Sequence, residues 1–217
     1  MSFADSSLTE DLGPLRKRLL EHPLWKGIEE GTLSRERLAL FALQDWWLVR
    51  DAYRLDALAI AGVDGLETQE LLISKLVPKV GAYKLLLRFG EAVGLARSDF
   101  EQVEPLAGCM ALTNFFYWML TYGSLPEKLA AVSASEDIFI QICAQVGPAL
   151  QREYGLSAEQ VEFFTAHDTL GEHVRPVDED LLARYSSPTD RQLITRAVRL
   201  SHEFELLFYD TIVNTPL

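Results

Sequence analysis

Asp45, Glu136 and Glu205 occupy positions at which helical spacing calls for apolar residues. Around Asp45 the three- and four-residue steps run Leu38, Phe41, Asp45, Leu48, Ala52, Leu55 and Ala59. Around Glu136 they run Leu129, Val132, Phe139, Ile140 and Cys143, and around Glu205 they run Ile194, Val198, Ser201, Phe208 and Ile212. Each acid therefore lies on the stripe its helix buries. A lone ionised carboxylate inside a protein costs several kcal/mol, so it finds a partner, shifts its pKa or lines a cavity. Three such acids on three helices are expected to share one polar pocket. Two facing carboxyls whose environments push their pKa values apart can leave one as acid and one as base. That pair is the minimum for hydrolysing a bond whose leaving group must be protonated.

Alternatives remain open at this level. Asp45, between Gln44 and the pair Trp46-Trp47, is either an interhelical hydrogen-bond partner or the anchor for an amino or ring-nitrogen group walled by aromatics. The helix of Glu136 supplies no Lys or Arg on its own face, and Ser133, Ala134 and Ser135 leave room beside it. Glu205 has Ser201 and His202 within a turn. Helical bundles also bind metals through Glu and Glu-x-x-His groups, and Glu136, His167, Asp168, Glu172 and His173 are candidates. His167 and His173 are six residues apart, however, about 240° around a helix. Residues 71 to 90 contain no Asp, Glu, His or Cys to complete such a set. His167 shares a stripe with Phe163, Phe164, Leu170 and Val174, so a pocket-lining or core histidine is the simpler reading. Ser135 has no adjacent base to make it a nucleophile.

The elements that must position these residues are all helical, and no segment alternates as a strand does. A first helix ends near Glu21, and Gly27 to Gly31 mark a short turn. Ser34 caps a long helix to about Ile60, stopped by Gly62. A second runs from about Glu67 to Val93 with a kink at Pro78. Ser98 with Glu101 opens a short helix, and Pro105 to Tyr122 forms an aromatic one. Pro126 to about Tyr154 follows with a kink at Gly147-Pro148. Ser157 with Gln160 opens a helix ending before Pro176, and Thr189 with Gln192 opens the last, to about Val213. About seven helices in one all-α domain over residues 1–217 are expected.

With 217 residues, 48% hydrophobic and 24% charged, the chain suits one well-buried domain. A net charge of −12 with a pI near 4.8 argues against nucleic-acid binding, which needs a positive surface. The start carries no signal-peptide pattern, and no stretch approaches the roughly 18 uncharged apolar residues of a membrane span, so a cytoplasmic protein is expected. Cys109 and Cys143 lie in apolar helical contexts and read as buried thiols.

The run HPLWKGIEEGTLSRERLALFALQDWWLVRDAYRLDALA resembles the N-terminal signature of the TenA (thiaminase II) and PqqC-like group, and HEFELLFYD is similar to its C-terminal helix. LAAVSASEDIF is similar to the segment that separates two branches, one with a nucleophilic Cys where Ser135 stands, the other with a Glu at the position of Glu136. The resemblance spans about residues 20 to 213 and implies a haem-oxygenase-like helical bundle, homo-oligomeric as a dimer or tetramer. It implies that Asp45 holds an aminopyrimidine edge while Glu136 and Glu205 exchange protons, with water as nucleophile and no metal or organic cofactor. Trp46, Leu48, Phe116, Ser135, Phe139 and His167 would complete the pocket for a small heteroaromatic ligand. Leu48, Phe116 and Phe139 replace tyrosines expected there, which points to a more hydrophobic substrate or to a binding protein without turnover. A PqqC-like or metal-dependent oxidative enzyme is the further alternative.

Overall fold

A computed structural model describes residues 6–217, without the side chains of residues 6–11 and of Asp168. The described residues form ten α-helices and no strand. They are α1 (Ser6–Leu20), α2 (Pro23–Glu29), α3 (Arg35–Ala61), α4 (Leu66–Leu76), α5 (Ala82–Ala92), α6 (Arg97–Gln102), α7 (Ala107–Tyr122), α8 (Leu125–Tyr154), α9 (Glu162–Tyr185) and α10 (Arg191–Asn214). Short 3₁₀ turns at Val77–Lys79 and Pro188–Asp190 precede α5 and α10.

The long helices begin and end where local chemistry dictates. The Ser34 hydroxyl accepts the Arg37 N–H at 3.2 Å, and Gly62 closes α3. At the head of α8, Ser124 donates both its N–H and its hydroxyl to Glu127. The shorter α2 is capped by a histidine: His22 Nδ1 accepts the Leu24 N–H at 3.2 Å, and Nε2 faces Asp210 at 3.2 Å.

Several expected boundaries move. Pro78 breaks the second block into α4 and α5 rather than kinking one helix, because its missing N–H ends the ladder there. Asp99 accepting the Ala96 N–H, not Ser98 with Glu101, opens α6. The reciprocal Ser157–Gln160 pair forms, but a turn ahead of α9. Helix α9 then continues through Pro176 to Tyr185. Beyond that proline, Leu181 and Leu182 are buried, and each returns roughly 1.5–3 kcal/mol against a helical-proline cost of about 3 kcal/mol. Ser187 with Asp190, rather than Thr189 with Gln192, initiates the last segment.

Helix α8 is central, packed on α2, α9 and α10. Among the described residues it is the one helix long and apolar enough to cross a bilayer, a property the sequence reading did not assign to it; a core helix meets the same criteria. Its close approach to α9 depends on two glycines. A Cβ at Gly147 would stand 2.9 Å from Thr165, and one at Gly171 would stand 2.8 Å from Ile140. Trp25 meets Phe41 and Tyr209 edge-on, and Phe41 meets Phe208, which locks α2 and α3 to α10. Cys109 and Cys143 are buried thiols.

Candidate active site

Helices α3, α5, α7, α8, α9 and α10, with residues 78–81 between α4 and α5, line a half-open cavity of about 530 Å³. The Tyr53 hydroxyl accepts the Gly81 N–H at 2.6 Å and ties that linker to α3. Asp45, Glu136 and Glu205 all line the space, as do Leu48, Phe116, Ser135, Phe139 and His167. Trp46 does not. It packs edge-to-face on Phe100 at 5.6 Å, because consecutive helical residues point about 100° apart and Asp45 takes the inward position. Gln44 also turns elsewhere, donating to the Glu104 carbonyl and accepting the Leu106 N–H, which staples α3 to the start of α7.

The three acids have different surroundings. Asp45 is 7% exposed, and its Oδ2 has no hydrogen-bond partner among the described residues. Burial alone raises its pKa to about 7. Glu205 is buried on α10; its Oε1 accepts the Tyr209 hydroxyl at 2.6 Å and its Oε2 the Ser135 hydroxyl at 3.3 Å. Burial outweighs both hydrogen bonds and pushes Glu205 up to about 8, so at neutral pH it holds a proton. Glu136 is the opposite case. Burial would raise it, but Lys79 Nζ at 2.8 Å from Oε1 and Lys75 Nζ at 3.2 Å from Oε2 bring it down to about 2.

The helix of Glu136 supplies no Lys or Arg on that face, as expected, and both cations come from elsewhere in the chain. They arrive from α4 and the 3₁₀ turn, not from its own helix. Lys75 also bonds Asp178, and Lys79 lies 3.6 Å from Asp56. Burial disfavours both ammoniums, yet the facing carboxylates more than compensate and hold them above the usual lysine range. Lys75, Lys79, Asp56 and Asp178 are the site residues the sequence reading did not select. The signal was there: Leu72, Lys75, Lys79 and Tyr83 step by three, four and four along an otherwise apolar run.

His167 donates from Nδ1 to the Phe163 carbonyl at 2.6 Å, and its ring stands edge-on to Phe139 at 4.9 Å. Burial lowers its pKa, so the ring is neutral with Nε2 as acceptor. His173 instead donates to the Ser74 carbonyl, and Glu172 is exposed. Asp168 lies outside the described side chains. Among the described residues no three His, Cys, Asp or Glu side chains converge on one point. The Ser135 hydroxyl donates to Glu205 at 3.3 Å, but this neighbour is no base. A carboxyl that already carries a proton does not activate a hydroxyl.

Residues 10–214 match the model of the TENA/THI-4/PQQC family. The chain is 30% identical over 133 residues to the aminopyrimidine aminohydrolase of Halalkalibacterium halodurans. That match covers 61% of this chain and 59% of the relative, less than two thirds of the latter's length. It is 27% identical over 190 residues to the 4-aminobenzoate synthase of Chlamydia muridarum, covering 84% of this chain and 79% of that protein. The fold is that of a TenA homologue from Pseudomonas syringae (TM-score 0.85, 14% identity, 97% of this chain and 92% of that one). It is also that of a domain with a haem-oxygenase-like fold from Shewanella denitrificans (TM-score 0.82, 17% identity, 96% and 91%). Fold and sequence agree: the chain belongs to the TENA/THI-4/PQQC family.

Proposed function

We propose that this protein is a C–N hydrolase of the TenA type, acting on an aminopyrimidine-class molecule with water as the nucleophile. The observation that carries the reading is two carboxyls on one cavity in opposite surroundings: Glu136 lies between the ammoniums of Lys75 and Lys79, which favour its ionised form, and Glu205 is buried with the Tyr209 and Ser135 hydroxyls, which leaves it protonated. The printed name of the Halalkalibacterium relative supports the substrate class.

In this reading the unpaired Oδ2 of Asp45 accepts an N–H from the ligand's ring or amino edge. The water oxygen bonds to the ring carbon that bears the amino group, and the C–N bond breaks. Glu205 delivers its proton to the departing nitrogen and takes back the one the water loses, so the acid is restored and the nitrogen leaves as a neutral amine. Glu136, too weak a base at about 2 to keep that proton, accepts a hydrogen bond from the water and aligns it. His167 and the rings of Phe116 and Phe139 flank the space.

The cavity favours a substrate larger than a bare aminopyrimidine. A void of about 150 Å³ accommodates benzene, and this one is some 530 Å³ with walls such as Leu48, Phe116, Leu120 and Phe139. A ring at Asp45 leaves room for an apolar substituent on the amino group. The test is ammonia or amine release from aminopyrimidines and N-substituted analogues. Glu205→Gln should abolish it with folding intact, and no release by the parent protein defeats the assignment. The carbon-only walls at Leu48, Phe116 and Phe139 favour one other reading, a small-molecule-binding protein, which predicts saturable binding of those compounds without turnover.

A further inference from the structure

His202 is fully buried, and among the described residues neither of its ring nitrogens makes a hydrogen bond. It sits on α10 one turn before Glu205, with Nδ1 4.0 Å from the Glu205 Oε2. A neutral imidazole carries one donor and one acceptor, and leaving both unpaired inside a protein is costly. Burial lowers the pKa of this ring to about 3, so charge does not account for its presence. The neighbours on its own helix do not resemble it: Ser201 donates to the Ala131 carbonyl, and Tyr209 donates to Glu205.

We propose that His202 is a positioning residue for Glu205, the hydrogen-bond partner that this carboxyl acquires when it gives up its proton. This rests on the hydrolase reading above for its catalytic meaning, but not for its geometry. While Glu205 is protonated, the Tyr209 and Ser135 hydroxyls are its partners, the second at a long 3.3 Å. Once it ionises, Oε2 becomes a charged acceptor, and charge-assisted N–H···O contacts settle near 2.7–2.9 Å. A movement of about 1 Å closes the gap to Nδ1 and satisfies one orphaned nitrogen. The other charges near the pair are Asp45 from α3, Arg16 from α1 and Asp137 from α8. Arg16 and Asp137 pair with each other at 3.0 Å, and Arg175 from α9 meets Asp137 at 2.9 Å. Arg16 and Asp45 act on the Glu205 carboxyl in opposite senses, as Arg16 and Asp137 do on the His202 ring.

His202→Phe keeps the ring volume and removes the donor, whereas His202→Asn places an amide nitrogen near the position of Nδ1. Without the donor the ionised form of Glu205 is less stable. The high-pH limb of the rate profile should then move up by about one pH unit, and kcat should fall about tenfold with KM within twofold. The Asn variant should recover most of both. In the parent protein, ¹⁵N shifts of His202 should report a protonated Nδ1 whose hydrogen bond strengthens as pH rises through the ionisation of Glu205. A ring held as the other tautomer, or one indifferent to pH between 6 and 10, overturns the proposal whether or not the protein hydrolyses anything. Hydrolysis whose pH limb is the same in the parent and in the Phe variant overturns it while leaving the function intact.

Discussion

Replacing Lys79 with Met tests the electrostatic core of the site, because it keeps the stem and removes the ammonium that lies 2.8 Å from Glu136. Glu136 sits at about 2 against an ordinary 4.5, and each pH unit of that gap is worth roughly 1.4 kcal/mol. The net gap is therefore about 3.5 kcal/mol; the two lysines together supply more than that, because they also offset the burial that would raise this carboxyl, and Lys79 carries roughly half of the net. Breaking a buried pair also strands the remaining charge, which burial penalises further. A loss of about 2 kcal/mol at pH 7 is expected. The sign of its pH dependence follows from a folded pKa below the unfolded one. The contribution is complete above pH 4.5 and disappears as pH falls toward 2. Urea midpoints followed by circular dichroism at pH 7, 5, 4 and 3 should show parent and variant well apart at the first two and converging at the last. Adding Glu136→Gln to Lys79→Met should recover part of the loss, since the stranded charge is then gone. Equal midpoints at pH 7, or a gap that persists undiminished at pH 3, would refute the assignment of Lys79 as one of the two ions that keep Glu136 charged.

Four further outcomes follow. Activity should fall as pH rises through about 8, where Glu205 loses its proton; a rate still climbing at pH 10 removes Glu205 as the acid. Asp45→Asn should raise KM by about 30-fold through loss of a charged acceptor, yet stabilise the fold at pH 8. A carboxyl raised from 3.8 to about 7 weakens the protein progressively across that interval, by roughly 4 kcal/mol when fully ionised, so the two thermal midpoints should differ at pH 8 and coincide at pH 4. Ser135→Ala should slow turnover no more than about fivefold, the worth of a long neutral hydrogen bond; a loss of several thousandfold would make Ser135 the nucleophile instead. His202→Phe should move the high-pH limb as described above, with kcat as the parameter that changes.

Helical class, the stripes carrying the three acids and the caps at Ser34 and Gly62 were all legible along the chain, since each depends on residues within a turn or two of one another. The meeting of Asp45, Glu136 and Glu205 around one cavity was legible too, because an acid on a buried stripe has few other places to go. Proline was misread in both directions. Pro78 ends a helix and Pro176 does not: Gly81, three residues past Pro78, turns into the left-handed region at φ 95°, whereas no residue of α9 does so and the helix goes on to bury Leu181 and Leu182. The protonation states lay furthest out of reach. Glu136 and Glu205 look alike on their helices, and what separates them is Lys75 and Lys79 arriving from residues 57 to 61 positions away. Local spacing decides which side chains face inward, whereas a pKa is set through space by whichever charges the packing brings near. The chain alone thus marked out the acids, and the folded molecule decided which of them keeps its proton.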